Sequence, residues 1–157
     1  MRRQRTNNGN TLVEVALGTL AAAVLAVTLS VMLFYGYTTW GRNVQVVDLH
    51  RDATLTMQIM EKKLQQASAG TVDLSQQGRI VVSNQGMSSF SAFYQEGSNL
   101  VYNPAESGGG TPFLLVQGRL APSGFTHSNI TRGVAVRLQL QHGMEALVMN
   151  GRVAFRN

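Results

Sequence analysis

One carboxylate stands where a charge is hardest to accommodate. Glu14 lies two residues past Leu12 in "NNGNTLVEVALG", at the mouth of a long apolar run. From Val15 to Gly41 the chain has no Asp, Glu, Lys or Arg. As a helix that run spans roughly 40 Å at about 1.5 Å per residue, more than the ~30 Å hydrocarbon core of a bilayer. A carboxylate costs up to roughly 3 kcal/mol at the centre of such a span and less near its end. Glu14 is thus tolerable as a bystander, and useful if a positive group meets it.

The remaining groups with chemical potential are dispersed. His50, His127 and His142 have no spacing that sets two on one helical face or across a hairpin, so they read as exposed or locally bonded, not as metal ligands. Carboxylates are too sparse for a calcium loop, which gathers several oxygens. Asp48 and Asp52 are one helical turn apart with Arg51 beside them, the pattern of a solvated, ion-paired face. "SGGGTP" lacks the Lys and helix start of a phosphate loop. No serine sits in a nucleophile elbow or with a matching His and Asp. The absence of cysteine excludes a disulfide frame, a thiol nucleophile, a Cys-ligated zinc and a lipid-modified Cys. No catalysis, metal or cofactor is expected.

The elements that would position Glu14 follow from texture. Residues 1 to 9 are polar and basic, and Arg2, Arg3 and Arg5 before an apolar span hold that end in the cytoplasm, which sends everything after Gly41 to the far side. These three account for much of the formal charge of +5. From Gly70 onward six Arg face four carboxylates, a balance of +2, so a nucleic-acid footprint is not expected. Residues 10 to about 68 contain no proline and read as one helix, apolar all round at first and one-sided afterwards. Val46, Leu49, Ala53, Met57, Met60, Leu64 and Ala67 form the later stripe. Arg51, Asp52, Lys62 and Lys63 lie off it, leaving a face for solvent or a neighbouring subunit. Tyr35, Tyr37 and Trp40 suit a membrane interface, and Gly36 and Gly41 among them would loosen the helix locally. Gly70 in "QASAG" fits a left-handed helix terminus.

The rest is strand-like and rich in turns. Residues 79 to 83, 87 to 94, 99 to 103 and 112 to 120 are short β-prone runs, and "AESGGGTP" is a flexible loop. The clearest strand is 134 to 141, with Val134, Val136, Leu138 and Leu140 on one face and Arg137, Gln139 and Gln141 on the other. Asn150-Gly151 predicts a type I′ turn and a terminal hairpin. A half-polar antiparallel sheet needs an apolar cover, and the amphipathic half of the helix supplies it, giving an α+β unit.

Two ordinary readings of the N-terminus each leave something over. A secretory signal cut near Ala21-Ala22-Ala23 would strand the apolar residues 24 to 34, and a plain single-span anchor gives Glu14 no role. The stretch Gly9, Asn10, Thr11, Leu12, Val13, Glu14, with its basic leader and apolar helix, resembles the class III signal of type IV prepilins and pseudopilins. That resemblance implies cleavage between Gly9 and Asn10 by a prepilin peptidase, which would also methylate the new amino terminus at Asn10. Glu14, then the fifth residue, would contact the amino terminus of an adjacent subunit during assembly. A carboxylate and an ammonium desolvated together satisfy each other, whereas either alone is costly.

Departures from the family pattern narrow the choice. Asn10 stands where Phe is usual, Val31 where major pilins commonly carry Pro, and the cysteine pair of many major pilins is missing. "RDATLTMQIMEKKLQQAS" and the ending "GRVAFRN" resemble J-type (PulJ-like) minor pseudopilins and PilW-like minor pilins. The resemblance implies a pilin-like fold, a long N-terminal helix on a small antiparallel sheet. Its divisions are a leader at 1 to 9, a membrane and filament-core helix at 10 to 41, an amphipathic continuation at 42 to 69 and a β-rich domain at 70 to 157. It implies an inner-membrane subunit with its C-terminal domain in the periplasm. It also implies other pilin subunits, the peptidase, an assembly platform protein and its ATPase as partners. The expected role is to initiate or cap a type II secretion pseudopilus. The alternatives are a minor pilin for motility, adhesion or DNA uptake, and a signal-anchored periplasmic binding module with no filament role.

Overall fold

The structure, a computed structural model, describes residues 8 to 67, 71 to 83, 90 to 106 and 109 to 155. The chain divides into two compact units, Met1–Asn43 and Val44–Asn157. One helix, α1 (Asn8–Gln65, 58 residues), contributes to both. It begins two residues before the expected start and ends at Gln65 rather than near 68, with Lys62 and Lys63 in its last turn, where they oppose the exposed carbonyls. It stays helical through Gly36 and Gly41. Gly70 lies outside the described residues.

The second unit is α+β, as the residue pattern demands, but it holds two antiparallel sheets where one was expected. The first runs in chain order: β1 (Val72–Asp73), β2 (Arg79–Ser83), β3 (Phe90–Glu96), β4 (Asn99–Asn103) and β5 (Phe113–Val116). The second comprises β6 (Leu120–Ile130), β7 (Gly133–His142) and β8 (Glu145–Ala154). Residues 112 to 120 are therefore not one strand. The chain leaves the first sheet at Gly118, whose φ of 65° suits a residue without Cβ, and enters the second at Leu120.

β6 is the element that the sequence hides. Pro122, Ser123 and Gly124 have the composition of a turn, yet they form a bulge in a continuous strand, where the register with β7 shifts between Leu120 and Phe125. Ser123 takes a positive φ of 51° there. Gln95 of β3 holds the bulge. Its amide nitrogen donates to the carbonyls of Ala121 (3.0 Å) and Gly97 (2.8 Å), and its oxygen accepts the Phe125 N–H (3.1 Å). One side chain thus ties the two sheets together. Gln95→Leu should cost about 2 kcal/mol, because it orphans a half-buried donor and acceptor at once. Urea unfolding of the full-length chain in neutral detergent would read this as a lower midpoint.

The terminal hairpin forms elsewhere than expected. Asn150 and Gly151 lie inside β8, paired with Arg137 and Val136, and the turn falls at Gly143-Met144. Gly143 supplies the positive φ (62°) that a two-residue hairpin loop requires. Gly151 has a packing reason to be glycine, since a Cβ there would overlap Met57 Cε of α1.

Leu49, Ala53, Met60 and Leu64 of the helix close over Ile80, Phe93, Leu100, Phe125 and the four inward residues of β7, Val134, Val136, Leu138 and Leu140. Val46 and Met57 of the expected stripe are half-buried. Thr56, off that stripe, is buried, and its hydroxyl has no hydrogen-bond partner among the described residues. Thr56→Val keeps the shape and removes the uncompensated hydroxyl, so a stabilisation of about 1 kcal/mol is expected, visible as a higher melting temperature.

Candidate functional site

Thr11, Leu12, Val13 and Glu14 are exposed on the first turns of α1. Gly9 and Asn10 are helical in backbone, and Arg2, Arg3 and Arg5 lie outside the described residues. Position 10 precedes Glu14 by four residues, one helical turn, so the two share a face.

Among the described residues the apolar side chains of α1 from Glu14 to Trp40 are exposed. From Leu12 to Trp40 every large apolar side chain is at least 59% exposed. One segment of α1 is long and apolar enough to cross a membrane. Its hydroxyls are already satisfied within the helix: Thr19 donates to the Ala16 carbonyl (2.9 Å), Thr28 to Val24 (2.7 Å) and Ser30 to Ala26 (2.8 Å). These are the only hydroxyl residues between Val15 and Phe34. None would enter hydrocarbon with an unpaired donor. Glu14 is the one charged side chain among the described residues of this segment up to Gly41. Apart from their own helix backbone, Gly18, Gly36 and Gly41 have no described heavy atom within 4 Å of where a Cβ would sit, so no packing among the described residues explains them.

Comparison with known proteins leaves this geometry to speak for itself. No family model, no curated protein and no solved structure matches the chain.

In the second unit several titratable groups are structural. Asp48 and Asp52 do pair with Arg51, at 3.7 Å and 3.4 Å, but the face is only half solvated. Arg119, between β5 and β6, reaches both carboxylates, at 2.8 Å to Asp52 and 3.7 Å to Asp48, and so fastens the helix to the sheets. The reading of a purely solvated face missed it because the partner lies 67 residues away. Arg79 of β2 pairs with Glu106, in the turn after β4. The Asp73 carboxyl is held below its ordinary pKa, first by the Ser75 backbone N–H, then by the Ser75 side chain, with Arg79 adding a smaller pull.

Among the described residues no three of His, Asp or Glu gather to hold a metal. His50 is exposed, but His127 is buried, and its Nε2 meets the Gln76 carbonyl at 2.9 Å. A carbonyl only accepts, so Nε2 carries the proton. His127 thus corrects the expectation of an exposed or locally bonded ring: it pins the β1–β2 loop to β6. A sequence signal existed in its alternation with Phe125, but the Pro-Ser-Gly preceding it masked the strand.

Proposed function

We propose that the chain is an assembly subunit of a type IV pilus-like filament, a minor pseudopilin that helps to initiate or cap the pseudopilus of a type II secretion system. A prepilin peptidase cuts between Gly9 and Asn10 and methylates Asn10. The apolar helix holds the subunit in the inner membrane, with the second unit in the periplasm, until the platform protein and its ATPase draw it into the filament. The observation that carries this reading is the lone Glu14 at the entrance of an all-round apolar, hydroxyl-satisfied helix segment whose apolar side chains are exposed.

Such a helix needs either lipid or other helices around it. Filament packing supplies the second, and Gly18, Gly36 and Gly41 let neighbouring backbones approach closely. Within the second unit α1 has a further apolar extension, with Val44, Val47, Leu55 and Ile59 exposed. A plain anchor needs neither the carboxylate nor this extension.

Mass spectrometry of the mature amino terminus tests the proposal. A methylated Asn10 supports it, whereas an intact Met1 or a start at Val24 supports an anchored module without a filament role.

A further inference from the structure

The outer face of the second sheet carries charge that the fold does not use. Arg137 of β7 is exposed between buried Val136 and Leu138, and Arg152 of β8 is exposed between half-buried Gly151 and buried Val153, so both side chains leave the sheet on the side away from the helix. Among the described residues neither has an acidic partner within 4.0 Å, whereas Arg51, Arg79 and Arg119 all do. No carboxylate occupies an outward position on β7 or β8, since Glu145 falls on the inward register beside the turn.

Register places these arginines in two adjacent rows. Thr126, Arg137 and Asn150 lie side by side, and next to them Ser128, Ala135 and Arg152. Ala135 is small and leaves a depression between the guanidinium groups. The β1–β2 loop, pinned by His127, brings Gln77 over one side, and the result is a groove of about 610 Å³. Its lining offers cations, amides and hydroxyls with no opposing charge.

We propose that this groove binds an extended acidic segment of a partner protein, with alternate carboxylates meeting Arg137 and Arg152. Same-face residues of an extended peptide repeat about every 7 Å, close to the ~7–8 Å diagonal between neighbouring strands. Carboxylates suit guanidinium forks, and Thr126, Ser128 and Asn150 remain to bond the peptide backbone. A nucleic-acid strand fits less well. The outward positions of β7 and β8 carry no aromatic ring on which a base could stack, and two cations neutralise few phosphates.

Fluorescence anisotropy on the full-length chain in neutral detergent, at about 50 mM salt, tests this. The probes are a labelled peptide alternating glutamate and serine, its glutamine counterpart and an oligothymidylate of equal charge. The acidic peptide should bind and the glutamine peptide should not. Arg137→Gln and Arg152→Gln should each weaken binding about tenfold. Arg132→Gln, which removes an exposed charge outside the groove, should leave it unchanged, and near-ultraviolet circular dichroism of all variants should match the parent. Undiminished binding in the double variant, or no binding by the parent, overturns the proposal. Oligothymidylate binding as tightly as the acidic peptide overturns it too, in favour of a phosphate-backbone site.

Discussion

Replacing Glu14 by alanine is expected to leave the chain in the membrane and to remove it from filaments. Insertion cannot suffer, because the substitution deletes a charge whose burial costs up to roughly 3 kcal/mol. Under the proposed assembly role, incorporation suffers because the ammonium of the adjacent subunit would be desolvated without a partner, and breaking one side of a buried ion pair costs about 3–5 kcal/mol. That corresponds to a loss of at least a hundredfold in incorporation. Carbonate-resistant membrane recovery should equal the parent, while recovery in sheared filaments should fall to background. Glu14→Gln, which keeps the shape and loses the charge, should behave as alanine does. Normal incorporation of either variant would remove the role assigned to this residue.

The second large effect concerns the fold, and two glycines of the same sheet make the comparison. A Cβ on Gly133 would overlap the Val153 carbonyl oxygen and lie 3.1 Å from Ala154 Cα, both backbone atoms of the neighbouring strand. Backbone cannot withdraw without breaking the β7–β8 ladder. Gly133→Ala should therefore destabilise the second unit by about 3 kcal/mol. A Cβ on Gly151 meets the end of Met57, a flexible side chain that can swing to another rotamer. Gly151→Ala should cost under about 1.5 kcal/mol. Urea unfolding of both variants in neutral detergent checks the order, and equal midpoints would show that the obstruction at Gly133 is relieved by strand movement.

Much of this architecture is legible residue by residue because its signals are local. The strand of 134 to 141 announces itself by strict alternation, and all four of its inward residues are buried. The helical stripe from Leu49 to Leu64 follows the 3.6-residue period and meets the core, with Met57 only partly covered. Runs 79 to 83 and 99 to 103 coincide with β2 and β4. What misleads is turn chemistry read without its context. Asn150-Gly151 has the composition of a hairpin turn, yet glycine there serves the close approach of Met57, while Gly143 makes the turn. Pro122 to Gly124 has the composition of a loop, yet Gln95 supplies the hydrogen bonds that let a bulge persist inside β6.

The sequence by itself determined the apolar span, its lone carboxylate, the amphipathic half of the helix and the α+β class, because each depends on the periodicity or charge of contiguous residues. Only the tertiary structure decided that the strands divide into two sheets. It also joined Arg119 to Asp48 and Asp52, and it left Arg137 and Arg152 on neighbouring strands with no acidic partner among the described residues. Those outcomes depend on which residues distant in the chain arrive next to one another, and pairing across strands and between layers leaves no period in the sequence from which to read it.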